Sequence, residues 1–403
     1  MRLIRLSNHK EYLLFPDAIW DGAGDTLLRN RAVHIKDGLI CRMVNLSDVN
    51  NLKQAENVTL PELTLLPGLI DCHIHLSMDS RDLQQAIREW SEQPEVTAAR
   101  IREELDAYLA CGIVAVRDGG DINNFGLTAK KNVSSGDWPG PKVIATGQAI
   151  YRKEKYGAFL GPGISSLDEV EPAVRQLAEN GVDQLKVVVS GLVSFKKFGV
   201  VGAPQFNLRE LTEIVDIGHA HGLKVMAHAS SDTAVELAAA SRVDSVEHGY
   251  FVSDRTIALM AEKGTAWVPT FAPLGNLVKH GHIPYPGANL DIIKSTHELQ
   301  LIQVAKAAEN GVLLGIGTDA GANMVFHGSS YFDELNYFHE AGISLPAILR
   351  ASTVNAAKIT GLDGILGTVK PGRQPSLVGV HGNPLENLSS LRSPAVVILA
   401  VAG

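Results

Sequence analysis

Polar and apolar positions divide the chain into three stretches. Short apolar runs at 2–6, 12–14, 32–35 and 40–44, separated by polar clusters, predict a small β-rich unit. Lys36-Asp37-Gly38 is a turn signal between the last two runs. From about residue 63 the rhythm changes. Eight apolar strand candidates follow, at 63–73, 113–117, 142–147, 184–189, 224–228, 245–248, 266–269 and 313–318.

Helical patterns lie between most of these runs. Ser166-Leu167-Asp168-Glu169 and Asn207-Leu208-Arg209-Glu210 have the form of capping boxes. Gly112, Gly181, Gly222, Gly264 and Gly311 stand where helices should stop, just ahead of the next run. Helix, glycine, apolar strand and polar loop, repeated, predict an α/β fold of the (β/α)8 TIM-barrel type. Beyond residue 365 the rhythm is lost. A turn-rich link at 369–375 precedes two further strand candidates, 376–380 and 395–400. These pair naturally with the N-terminal strands. The expected division is a small β-sandwich domain from 1–62 and 366–403, and a barrel from 63–365.

Composition narrows the function classes. Hydrophobic residues make up 45% and charged residues 20% of the 403, enough for a substantial core. The net charge of -8 gives no electrostatic case for nucleic acid or an anionic membrane as partner. The N-terminal residues lack the apolar run of a secretory signal, and no stretch approaches the roughly 20 apolar residues of a membrane helix. Cys41, Cys72 and Cys111 are too few and scattered for a disulfide framework. A cytoplasmic protein acting on a small molecule is the expectation, with homo-oligomerisation left open.

In a barrel of this type chemistry sits at the C-terminal strand ends. His73 and His75 close the first run two residues apart, on one face of a strand, and suit metal ligation. Either could equally be a core or loop histidine. Lys186 lies inside Leu185-Lys186-Val187-Val188-Val189. Burial there would lower its pKa, and a neutral amine can take up carbon dioxide as a carbamate that bridges two metals. The alternative is a lysine that snorkels to solvent. His228 and His248 each end a strand candidate, and Asp319 ends the eighth. Read singly, each has a structural alternative. Together they converge on one end of one barrel.

These residues resemble the amidohydrolase superfamily, in PGLIDCHIH around His73, AHA around His228, VEHG around His248, GTDAG around Asp319, and LGTVKPG with GNPLENL near the C-terminus. Within it the chain is most similar to the prolidase-like branch of Xaa-Pro dipeptidases and amino-acid carboxypeptidases. The resemblance implies two divalent ions, Zn2+ by default. His73, His75 and Asp319 would hold one, His228 and His248 the other, and carboxylated Lys186 would bridge them. It implies hydrolysis of an amide or peptide bond of a dipeptide or N-acyl amino acid. Asp319 would act as general base and then acid, and His248 would help stabilise the oxyanion.

The sequence departs from that branch in three places. No Gly-Gly-His follows the third strand candidate, and Ala229-Ser230-Ser231-Asp232, without tyrosine, follows His228. Pro375-Ser376-Leu377 replaces a usual Ala-Asp-Leu. Candidate substrate contacts are Arg152, with Lys153 and Lys155 beside it, and Tyr156, Tyr250 and His327. Two other readings are weighed. One is a mononuclear deaminase or cyclic-amide or lactone hydrolase. The other is a non-catalytic scaffold relative.

Overall fold

The computed structural model describes residues 1–52, 54–281 and 283–400. Strands from both termini form one eight-stranded mixed sheet. Arg2–Leu6 pairs in parallel with Val396–Ala400, which pairs antiparallel with Leu377–His381. Leu377–His381 leads through Glu56–Pro67 to Tyr12–Ile19, Arg31–Lys36 and Leu39–Asn45. The predicted turn is present. Lys36 pairs with Leu39, and Asp37 and Gly38 both have positive φ, 52° and 73°, as a two-residue hairpin of primed type requires. Apolar side chains from both ends of the sheet, including Leu6, Val33, Ile40, Leu65 and Ile398, share one buried cluster.

The run expected at 63–73 is two strands. Glu56–Pro67 belongs to the terminal sheet, and Leu69–Ile74 starts a parallel one. The chain passes between them at Gly68, where a Cβ would meet Val114 at 2.4 Å. Pro61 hid the earlier strand, because proline in a strand argues against central pairing. It is tolerated here in a register shift opposite Pro16 and Ala18.

Leu69–Ile74, Ile113–Asp118 and Lys142–Ala145 form a parallel three-stranded sheet. Gln184–Val188, Lys224–Ala229, Ser245–His248 and Ala266–Val268 form a parallel four-stranded one. Isolated parallel bridges join them. Ile150 pairs with Val187, Trp267 with Leu314, and Ile74 with Ala320. Helices follow the strands, and one apolar cluster spans both sheets.

The segment 313–318 is extended without being a regular strand. Leu313 O accepts from Trp267 N at 2.9 Å, and Ile316 O accepts from Cys72 N at 2.8 Å. Beyond that, the Asp71 carboxylate replaces a backbone partner, accepting from Thr318 N at 3.0 Å and Thr318 Oγ1 at 2.8 Å. A Cβ on Gly317 would lie 2.4 Å from Val268 and 3.0 Å from the His73 backbone nitrogen. Gly317→Ala is therefore expected to cost about 1–3 kcal/mol, read as a lower melting temperature of the metal-free protein.

Of the two capping boxes, Asn207 and Glu210 form theirs in both directions. Ser166 does not cap; Glu169 accepts from Ser165 N instead, and the helix starts with a 3-10 turn. Gly264 ends its helix in the left-handed region at φ 69°. Among the described residues no helix is long and apolar enough to cross a membrane.

Candidate metal centre

Strand ends bring the predicted ligands together. His73 lies on Leu69–Ile74 and is fully buried, and His75 follows just past it. Asp319 Oδ1 stands 3.5 Å from His73 Nε2 and 3.6 Å from His75 Nε2. One donor atom from each of the three residues falls within 4.8 Å of the others. The His248 ring lies 5.0 Å from His73 and 4.5 Å from His228. Lys186, buried on Gln184–Val188, bears electrostatically on His73, His75, His228, His248 and Asp319.

Tautomers follow from hydrogen bonds on the far side of the rings. His73 Nδ1 donates to Glu247 Oε2 at 2.7 Å, and His75 Nδ1 donates to Gly120 O at 3.3 Å. Each leaves the Nε2 lone pair facing Asp319. His248 Nδ1 is held by Thr270 Oγ1 at 2.8 Å. Burial keeps all four imidazoles neutral, pushing His75 and His228 down to about 3 and His73 and His248 well below the usual range. Burial lowers the Lys186 amine, although Glu247 and Asp319 pull it back. Burial raises the Asp319 carboxyl, partly offset by Lys186.

His73 Nε2 and Lys186 Nζ are among the buried atoms that have no hydrogen-bond partner among the described residues. Buried polar atoms are ordinarily paired. An imidazole lone pair beside a carboxylate fits a cation, and a carbamate at Nζ would complete the set. His248, Thr270 and Asp319 all take positive φ, 71°, 49° and 58°, which non-glycine residues rarely adopt. Backbone strain of this kind concentrates at functional sites.

Sequence reasoning missed the support beneath the ligands. Ser245 and Glu247 alternate on one face of their strand and both turn inward. Glu247 accepts from His73, from Arg117 Nη2 at 2.8 Å and from Ser245 Oγ at 2.6 Å. The signal was present as a lone arginine in an apolar strand and a glutamate two residues after a serine. His248 has the opposite parity and reaches the site through its left-handed backbone.

The candidate substrate contacts divide. Tyr156 is partly buried, its ring 5.3 Å from that of His228. Burial and the Asp319 charge raise the Tyr156 and Tyr250 phenols, which stay protonated beside the site. Tyr285, not singled out from the sequence, is raised by burial and by Asp319 in the same way. Arg152 is engaged elsewhere, by Glu210, Ser165 O and the Phe206 ring at 5.2 Å. Lys153 and Lys155 are exposed. His327 is bound by Tyr108 Oη at 2.9 Å and faces Glu104 Oε2 at 3.4 Å.

The pattern of the amidohydrolase family matches residues 64–403. The chain belongs to the amidohydrolase family. An uncharacterised protein of Mycobacterium tuberculosis is 27% identical over 342 residues, 83% of this chain and 84% of that one. Ochratoxinase of Aspergillus niger is 25% identical over 419 residues, 96% and 85% of the two chains. Among solved structures, a Xaa-Pro dipeptidase with methionine in its active site superposes with a TM-score of 0.82 at 25% identity, over 97% of this amidohydrolase and 98% of that chain. Such relatives support hydrolase activity on amide bonds for this amidohydrolase.

Proposed function

We propose that the chain is a metal-dependent hydrolase that cleaves an amide or peptide C–N bond of a small substrate, a dipeptide or an N-acyl amino acid. The observation that carries this reading is the cluster of His73, His75 and Asp319 donor atoms within 4.8 Å, with His73 Nε2 and Lys186 Nζ lacking hydrogen-bond partners among the described residues. His73, His75 and Asp319 would hold one divalent ion and His228 and His248 a second, with carboxylated Lys186 joining both. Zn2+ is our assignment for so histidine-rich a set. When bound, such ions supply Lewis acidity and a nucleophile from water at neutral pH.

The chain's own groups do the rest. Asp319 takes the proton of the attacking water and returns it to the leaving nitrogen. His228 and His248, the latter with Nδ1 held by Thr270, would hold the second ion, whose charge would stabilise the developing oxyanion. Tyr156 and Tyr250 supply phenol donors beside Asp319 to position the substrate. The accompanying fold reading is a (β/α)8 barrel beside a small β domain from both termini, a single eight-stranded sheet rather than the expected sandwich, with the boundary at Gly68 rather than residue 63 because Glu56–Pro67 pairs within the terminal sheet. Support comes from the bridges between the two parallel sheets and from the apolar cluster shared across the terminal sheet.

The test is turnover by the metal-loaded protein across dipeptides, N-acyl amino acids, cyclic amides and lactones. Release of a free amine from linear amides is the expected outcome. Turnover confined to ring opening or deamination would replace this reading with the cyclic-amide or deaminase alternative.

A further inference from the structure

Arg117 lies in the apolar strand Ile113–Asp118 and is fully buried. Its guanidinium donates four hydrogen bonds. Nε reaches Cys72 O at 2.6 Å, Nη1 reaches Gln184 Oε1 and Ser245 Oγ at 3.0 Å each, and Nη2 reaches Glu247 Oε1 at 2.8 Å. Cys72 belongs to one parallel sheet, and Gln184, Ser245 and Glu247 belong to the other. One side chain therefore ties both sheets together beneath the ligands. The other oxygen of Glu247 accepts from His73 Nδ1 at 2.7 Å.

Burying an arginine and a glutamate is costly, and an apolar pair of similar volume often serves stability as well or better. Stability alone does not explain the pair. Its geometry points at His73. A proton fixed on Nδ1 leaves Nε2 with a lone pair, and a carboxylate on the far side of an imidazole raises its basicity as a ligand. Ser245 Oγ and Arg117 Nη2 both hold Glu247 Oε1, so the carboxylate cannot rotate away from His73 without breaking two bonds.

We infer that Arg117 and Glu247 are positioning residues for a divalent cation, fixing the tautomer and aim of His73 from behind. The inference rests on the metal-site reading above and adds to it which buried charges set the affinity of the His73 ion. It assigns no contact with substrate to either residue.

Removing Arg117 alone would leave Glu247 buried and unpaired, and the chain could fail to fold. The informative variants are therefore Glu247→Gln and the double replacement Arg117→Met with Glu247→Leu. Stepwise Zn2+ titration against a chromophoric chelator reads the affinity, the melting temperature of the metal-free protein reads the fold, and 15N NMR of the His73 ring reads the tautomer. Both variants are expected to stay folded and to bind one of the two ions about 10–100-fold more weakly. The His73 proton should no longer be confined to Nδ1. A folded double variant with wild-type affinity for both ions overturns the inference, as does an unchanged His73 tautomer. Unfolding of both variants assigns the pair to stability and overturns it as well. A wild-type protein that binds no ion overturns the metal-site reading itself, and this inference falls with it.

Discussion

Asp319→Asn is expected to lower kcat by about 10²–10⁴-fold and to leave the protein folded, the range that one well-placed general acid–base group contributes. Asparagine has the same shape and tolerates the left-handed backbone found at this position, φ 58°. The bond from residue 319 N to His73 O, 2.7 Å, uses the main chain and survives the change. What asparagine lacks is a group that can accept and return a proton. Asp71 is also buried and raised, to about 7, but its oxygens are committed to Thr318 and to His73 N, so it cannot substitute. Steady-state kinetics with metal content and melting temperature measured on the same sample check the result. Hydrolysis at the wild-type rate by the folded variant would remove Asp319 from the mechanism.

Lys186→Ala is expected to hold at most one ion per chain and to lose activity by more than about 10²-fold, beyond the loss seen when an outer hydrogen-bond partner of a metal ligand is removed. Nζ is buried without a hydrogen-bond partner among the described residues, and burial disfavours its charged form. In the proposed reading the neutral amine would attack the carbon of carbon dioxide and shed a proton, and the resulting carbamate anion could join two cations. Because the folded-state pKa is lowered, the neutral amine is available nearer neutrality than in free lysine. As pH falls the amine takes a proton, so metal content and activity should fall together, and added bicarbonate should raise both. Elemental analysis across a pH series with and without bicarbonate makes the comparison. Two ions per chain and full activity in Lys186→Ala would remove the bridge from this reading. One ion per wild-type chain with an unmodified Lys186 would instead favour the mononuclear alternative.

The strand positions were legible because buried parallel strands are short apolar runs bounded by glycine and polar loops. Six of the eight candidates, from 113–117 through 266–269, match observed strands to within one or two residues. The first was misjudged because Glu56–Pro67 and Leu69–Ile74 read as one run, and their separation depends on which sheet each edge meets. The eighth was misjudged because its bonding is completed by the Asp71 side chain rather than by a neighbouring backbone. The candidate ligand residues stood out as polar side chains closing apolar runs. Arg117 and Glu247 did not, although the same logic that singled out Lys186 applied to Arg117.

By itself the sequence determined the alternation of strand and helix, the β-rich character of both ends and the candidate ligand types at the strand ends. Those properties follow from local hydrophobic period and residue chemistry. The tertiary structure decided what the ligands rest on and which candidate contacts reach them. Arg152 and Tyr156 lie four residues apart in one loop, yet the guanidinium is engaged by Glu210 while the phenol lies against His228. The proton on His73 is likewise placed by Glu247, 174 residues away. No local pattern encodes a hydrogen bond between groups so far apart in the chain, because it exists only once the two parallel sheets have come together around Arg117.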